Sequence, residues 1–230
     1  MADIFREVDE DIRQERYEKL WKRYRWWLLG LAIALIGAVA AYVIIDERNE
    51  SLRREEGLRF ATALLELEEG RPKEAAAQFN ALANSTDSGY LALARLRAAD
   101  ALAAAGDESA AVALYDELSS DNQANLRYRE LSVLLAAEHL LDSAPPQEVM
   151  QRLAALVSGD GPWRSLAVEL TGLAQIKAGR IDTARQIFDD LRRDLTAPSG
   201  VRARAQELLA SLGGPLESDS ERPVPETSKD

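Results

Sequence analysis

Three segments of the chain repeat one pattern of small, aromatic and leucine residues, and this repeat constrains the fold more than any other feature. Counted from a glycine at position 0, each segment has alanine at +5, an aromatic residue at +9 and leucine at +12. The three sets are Gly70, Ala75, Phe79 and Leu82; Gly106, Ala111, Tyr115 and Leu118; and Gly179, Ala184, Phe188 and Leu191. The second interval between glycines is about twice the first, so a fourth copy is expected between the last two, near position 143.

That fourth copy is degenerate but keeps the apolar character of the pattern. With its zero at Ala144, Val149 lies at +5, Leu153 at +9 and Leu156 at +12, and Ala137 lies at −7. The three complete copies also carry a small residue at −7, namely Ala63, Ala99 and Gly172.

The pattern predicts two antiparallel helices joined at the glycine. Glycine ends the first helix, because it takes a left-handed backbone conformation without strain. The small residues let the two helices approach closely, and the aromatic residue and leucine fill the seam between them. One hairpin cannot bury its apolar face alone, so several are expected to stack into a right-handed superhelix.

These residues resemble the tetratricopeptide repeat over about residues 51–195. The resemblance implies an all-α solenoid of about four hairpins, and a capping helix is expected from Ser199 to Leu212. Ser199 is the expected N-cap of that helix, and Trp163 is expected in the core of the fourth hairpin. The predicted helices are about 51–69, 72–84, 89–105, 107–119, 123–142, 146–158, 163–178 and 181–195.

The first helices of such hairpins line the concave face of a solenoid, and here that lining is apolar. The predicted groove consists of Phe60, Leu64, Leu67, Leu93, Leu96, Leu131, Leu134, Leu141, Leu166, Leu173 and Ile176. Asp100, Glu138 and Glu169 share the same face. Two interpretations stay open: a groove for an apolar peptide or partner helix, or a tight superhelix or self-association that buries these side chains.

An uncharged run extends from Trp26 to Ile45. A helix of that length spans roughly 30 Å, the thickness of a bilayer hydrocarbon core. Tyr24, Trp27 and Tyr42 lie near its ends, where aromatic rings prefer the headgroup region. The run predicts one transmembrane helix, with a buried core helix as the alternative.

Basic residues near the two ends of the run predict its orientation. Seven lie in the segment from position 6 to 25 and four in the segment from position 46 to 65, which favours a cytoplasmic N-terminus. The C-terminal domain would then lie in the periplasm of a Gram-negative bacterium. Ala38–Ala40 fits a cleavage site, but an uncleaved signal anchor is favoured, because the preceding segment is long and acidic and the run continues to Ile45.

The chain is therefore expected to have four parts. Residues 1–25 form a cytoplasmic amphipathic segment, which either lies solvated beside anionic lipid or docks a partner. Residues 26–45 form the anchor, and residues 46–212 form the tetratricopeptide-like domain. Residues 213–230 form an acidic tail that is expected to be disordered.

Composition argues against an enzyme and against a nucleic-acid binder. The net charge is −11, which disfavours binding to phosphate backbones. There is no cysteine and one histidine, so thiolate metal sites and Ser-His-Asp chemistry are not expected. His139 is expected to be a surface or boundary residue. The sequence predicts no cofactor and no metal.

The whole chain resembles the ancillary subunit family of the bacterial SecYEG translocon, whose members are single-pass inner-membrane proteins with a periplasmic tetratricopeptide-like domain. The opening Met1–Glu10 and the segment Leu20–Tyr24 are similar to the start of alphaproteobacterial members. The resemblance implies that the partners are the translocon and a membrane-anchored periplasmic folding factor, and that the protein assists the chaperoning of exported chains.

Three alternatives stay open: a scaffold for envelope assembly or cell division, a solenoid released by cleavage after Ala40, and a regulator facing the cytoplasm.

Overall fold

The structure is a computed structural model that describes residues 3–85 and 89–216, with side chains described from residue 33 onward and at some positions between 21 and 31. The described residues form helices and contain no strand, so the all-α prediction is confirmed. In chain order the helices are α1 (Asp3–Glu68), α2 (Pro72–Ser85), α3 (Tyr90–Ala104), α4 (Glu108–Ser120), α5 (Leu126–Leu140), α6 (Pro146–Ser158), α7 (Arg164–Lys177), α8 (Ile181–Arg193) and α9 (Ser199–Ser211).

The predicted helix boundaries agree with these ends to within a few residues, except that α1 begins far ahead of the predicted first helix. Pro146 occupies the first turn of α6, where its missing N–H costs no hydrogen bond. The predicted role of Ser199 is wrong, because Pro198 is the N-cap and Ser199 is already the first residue of α9. Proline at that place fixes the backbone entry without a side-chain hydrogen bond.

The chain divides into two compact units, Met1–Glu55 and Glu56–Asp230. In the first unit the described large apolar side chains are exposed, for example Trp27 at 79% and Ile36 at 69%. Among the described residues one helical stretch, the part of α1 from Arg25 to Glu68, is long and apolar enough to cross a membrane. Its best 18-residue window has a mean hydropathy of 2.7, and none of that window is buried.

In the second unit the helices pair into stacked hairpins. The end of α1 pairs with α2, and the next hairpins are α3–α4, α5–α6 and α7–α8, with α9 packed on α8. The aromatic residues of the repeat, Phe79, Tyr115 and Phe188, are fully buried. In the degenerate copy Val149 and Leu153 are fully buried as well, as its register predicts.

The repeat glycines end the first helices as predicted. Gly70, Gly106 and Gly179 have φ angles of 77°, 84° and 74°, in the left-handed region. The amide of Arg71 reaches back to the carbonyl of Glu66 at 2.8 Å, and the other two turns repeat this bond at 2.9 Å. These bonds satisfy carbonyls at the helix end that have no partner inside the helix.

Ion pairs join elements that the repeat places about one period apart. Asp116 of α4 binds Arg152 of α6 through both carboxylate oxygens, one of them at 3.0 Å. Glu169 of α7 binds Arg204 of α9 at 2.6 and 2.7 Å. Such two-bond arginine–carboxylate pairs fix the relative orientation of the elements that carry them.

Candidate protein-binding surface

The side chains of the predicted concave groove are largely engaged in packing within and between hairpins. Leu96 and Leu134 are buried, at 6% and 4% exposure, and the other nine predicted lining residues are half-buried. Phe60, for example, makes an edge-to-face contact with Phe79 of α2, their ring centroids 5.2 Å apart. Leu173 packs against the core formed by α8 and α9. That these residues bind a partner stays a prediction.

The three polar residues of the same face have different surroundings. Glu169 is 7% exposed and accepts two hydrogen bonds from Arg204, so at this residue the face is buried by packing. A carboxylate can be buried here because the guanidinium supplies two charge-assisted hydrogen bonds. Asp100 accepts a hydrogen bond from the hydroxyl of Tyr115 at 2.5 Å, and Glu138 is exposed.

A small polar cluster surrounds Tyr115 between the second and third hairpins. Burial raises the pKa of its hydroxyl, and the acceptor Asp100 raises it further. The imidazole of His139 in α5 stacks on the Tyr115 ring, with the ring centroids 5.6 Å apart. Its Nδ1 lies 2.7 Å from a carboxylate oxygen of Glu108. The boundary position expected for His139 agrees with this half-buried contact.

Cavities occur along one edge of the second unit, where the second helix of each hairpin is connected to the next first helix. Three of them have volumes of about 540, 290 and 860 Å³. Five residues that line the first have counterparts two repeat periods later that line the third: Gly89 with Pro162, Leu91 with Arg164, Ala92 with Ser165, Gln123 with Thr196, and Asn125 with Pro198. We call the residues lining the three cavities the loop edge.

Two aspartates that the sequence analysis did not single out support the loop edge. Asp121 follows α4 and accepts from the amide of Gln123 at 2.9 Å and from Arg95 at 2.8 Å. Asp194 follows α8 and accepts from the Thr196 hydroxyl at 2.5 Å and from its amide at 2.9 Å. Both occupy position +15 of their repeat, and that shared register could have indicated a common role.

These contacts favour the ionised form of both carboxylates. The amide of Gln123, followed by Arg95, lowers the pKa of Asp121. The hydroxyl and amide of Thr196, followed by Arg164, lower the pKa of Asp194. The aspartates therefore act as local supports of the loops between hairpins.

The loop edge also presents two large apolar side chains, Leu126 and Trp163. Leu126 is not among the residues predicted to bind a partner. Leu126, at the start of α5, is 56% exposed and lines the 290 Å³ cavity. Trp163 lines it too and is half-buried rather than in the core as predicted. Its indole N–H donates to the carbonyl of Arg127 at 3.2 Å. A partly buried indole needs such an acceptor, and the short turn before α7 places the ring at the edge.

Within the part of the chain that the structure describes, no three His, Cys, Asp or Glu side chains are arranged to hold a metal ion.

Comparison with known proteins gives a family and a fold. The model of the tetratricopeptide repeat-like domain family matches residues 18–210. No curated protein matches the chain.

Two crystal structures have a similar fold. The first is a variant form of nearly identical TPR-like repeats from a candidate kinesin light chain of Podosopora anserina. It aligns with a TM-score of 0.54 and 16% identity, over 67% of this chain and 82% of that one. A second structure of these repeats gives a TM-score of 0.50 and 17% identity, over 67% and 83% of the two chains. At such identities the likeness is one of fold alone.

Proposed function

Because the chain belongs to the tetratricopeptide repeat-like domain family, we propose that it is a membrane-anchored scaffold that binds other proteins. Domains of this kind mediate protein–protein binding and are typically not catalytic. The observation that carries the proposal is the presence, in one chain, of an unburied apolar helix and a stacked-hairpin domain. The matched family region also includes the apolar run.

The finer proposal is that the protein is an ancillary subunit of the SecYEG translocon that assists the chaperoning of exported proteins. Its support is the resemblance of the opening segment and of the order of parts along the chain. A tethered scaffold needs no catalytic residue, because anchoring beside the channel raises the effective concentration of its partner. The proposed partners are the translocon and a membrane-anchored periplasmic folding factor. A second copy of the chain is a further candidate partner.

Co-purification of the full chain in mild detergent tests this assignment. We expect translocon subunits in stoichiometric amounts with the tagged protein. Recovery of envelope-assembly or division proteins in their place would overturn the translocon role and leave the scaffold role standing. Recovery of no partner at all, from membranes solubilised under several detergents, would overturn both.

The proposed location is the inner membrane, with the N-terminus in the cytoplasm and the second unit in the periplasm. The support is the excess of basic residues before the apolar run, seven against four. Protease added to spheroplasts should digest the second unit while an N-terminal epitope stays protected. Protection of the second unit, with digestion only after lysis, would contradict this orientation.

The loop edge is the surface we propose for partner binding. Leu126→Glu places a charge beside the 290 Å³ cavity and should weaken co-purification about tenfold, as loss of one well-packed interface residue does. Ile181→Glu is the matched control, since Ile181 is 38% exposed at the start of α8, by the glycine turn. Equal recovery with both variants would rule out the loop edge.

A further inference from the structure

The first and the last helix of the second unit differ in the side chains that they expose to solvent. The last helix, α9, buries Val201, Ala205 and Leu209 against α8. Its exposed residues are small or polar: Ser199, Gly200, Ala203, Arg204, Gln206, Glu207, Ala210 and Ser211. A polar outer face is what closes a solenoid against further stacking. The first helix of the second unit, the part of α1 from Glu56 to Glu68, exposes large apolar side chains as well as small and polar ones.

Two leucines are exposed on that part of α1. Leu58 is 70% exposed and Leu65 is 51% exposed. They are seven residues apart and so lie on one face of the helix, with the exposed small residues Ala61 and Thr62 between them. We call these four residues the entry face.

The repeat shows what covers the corresponding face in the later hairpins. Counted from the hairpin zero, Leu58 lies at −12, where the other first helices carry Ala94, Ser132 and Ala167. All three of those residues are 0% exposed. Leu65 lies at −5, where α3 and α7 carry Ala101 and Ala174, both also 0% exposed.

In each later hairpin the covering element is the second helix of the hairpin before it. Ala94 of α3 packs with Leu82 of α2, and Ala101 packs with Phe79 of α2. Ala167 and Ala174 of α7 pack with Val149 and Leu153 of α6. Each of these interfaces sets small residues of the first helix against larger residues of the covering helix.

We propose that the entry face of α1 is covered by an amphipathic helix of a partner protein, which takes the place of a preceding second helix. The face continues, in register, the interface that α3, α5 and α7 already use. By the hairpin geometry the partner helix runs antiparallel to α1. Because the bulky residues are here on α1, the partner presents alanine, serine or glycine to Leu58 and Leu65.

The charge at the C-terminal end of α1 also restricts which residues the partner helix can carry there. Glu66, Glu68 and Glu69 cluster at its C-terminal end, and Arg71 pairs with the first and last of them. The site is left with a net negative charge, so the partner helix carries lysine or arginine near its N-terminal end. A second copy of this chain fits poorly, since it would oppose leucine to leucine rather than leucine to a small residue.

This inference deepens the protein-binding role proposed above and needs neither the translocon nor the orientation in the membrane. The test places the photoreactive residue p-benzoylphenylalanine at position 58 or 65 of the full chain in living cells. Matched control probes replace Gln206 and Ala210 on the outward side of α9, and a further probe replaces Leu126 at the loop edge.

We expect both entry-face probes, and neither α9 probe, to capture the same protein. Mapping by mass spectrometry should place the captured residues about seven apart on one helix, with the residue facing position 58 C-terminal to the one facing 65. Leu58→Glu should lower capture at position 65 about tenfold, and Gln206→Glu should leave it unchanged. The milder Leu58→Ser repeats the measurement with a neutral side chain.

Several results would overturn the inference. These are adducts with twice the chain's mass, adducts with lipid only, a parallel order of the captured residues, or no adduct at positions 58 and 65. If the Leu126 probe captures a protein while the entry face captures none, the inference fails and the scaffold role stands. If neither surface captures a protein, both fail.

Discussion

Gly172 shows at the scale of one residue how tightly the hairpins are packed. It occupies the −7 position, where Ala63 and Ala99 of the first two hairpins are fully buried with their Cβ atoms. A Cβ added at Gly172 would lie 2.6 Å from the ring of Phe188. The fourth hairpin therefore tolerates no side chain where the others tolerate a methyl group.

Gly172→Ala should lower the free energy of unfolding by about 1–3 kcal/mol, the usual cost of overpacking a core. Neither the helix backbone nor the buried Phe188 ring can move freely to relieve the contact. The control is Gly200→Ala in α9, where the nearest atom to an added Cβ is the end of Arg204 at 3.8 Å. Alanine there should be neutral or stabilising, because it favours helix. Equal midpoints of chemical unfolding for both variants would contradict the packing argument.

At the scale of an element, α5 ends without the glycine that closes α1, α3 and α7. The turn that follows α5 is instead held by Lys177, at the end of α7. The Lys177 ammonium donates to the carbonyls of Leu141 at 2.8 Å, Asp142 at 2.6 Å and Ala144 at 3.2 Å. A cation at a helix C-terminus also interacts favourably with the helix dipole. The turn of the degenerate hairpin is thus stabilised by a side chain of the following hairpin.

Lys177→Met keeps the aliphatic part of the side chain and removes the three hydrogen bonds. Because Lys177 is exposed, we expect a loss of only about 1 kcal/mol in the free energy of unfolding. Hydrogen exchange should locate the loss at the turn that follows α5. Lys73→Met, at an exposed position of α2, serves as the control and should leave that turn unchanged.

The loops after α4 and α8 give the domain a predictable response to acid. Both Asp121 and Asp194 have a lowered pKa in the folded state, so their contribution to stability is present above the unfolded pKa, about 4. It is lost as the pH falls through the folded pKa of each. Thermal unfolding at a series of pH values should show a shallower fall below about pH 4 for Asp121→Asn with Asp194→Asn than for the parent chain. Parallel curves would contradict this.

At the scale of the whole molecule, the apolar run of α1 should hold the intact chain in the membrane. We expect the 25.3 kDa polypeptide in the membrane pellet after an alkaline wash, with detergent needed to release it. N-terminal sequencing should find the residues before the run still present. A soluble product beginning at Ala41 would show cleavage after Ala40 and contradict the anchor.

Much of the architecture was predictable from the sequence, because the determinants of a helix hairpin are local. A glycine that must adopt a left-handed φ, a small residue seven positions before it and an aromatic residue nine positions after it together specify a helix, a turn and a seam. The degenerate copy was found by its spacing, although Ala144 replaces glycine. The length and lack of charge of the run to Ile45 likewise needed no tertiary information.

Tertiary structure decided which side chains are available to a partner. Burial depends on what a neighbouring hairpin places against a helix. Leu134 and Leu58 are both leucines of first helices, yet their exposure is 4% and 70%. Glu169 pairs with Arg204, and Lys177 binds the turn that follows α5. Both contacts join residues about one repeat period apart, which no local pattern specifies. Periodicity gives the faces of each helix, and only the stacking of hairpins determines which faces remain open.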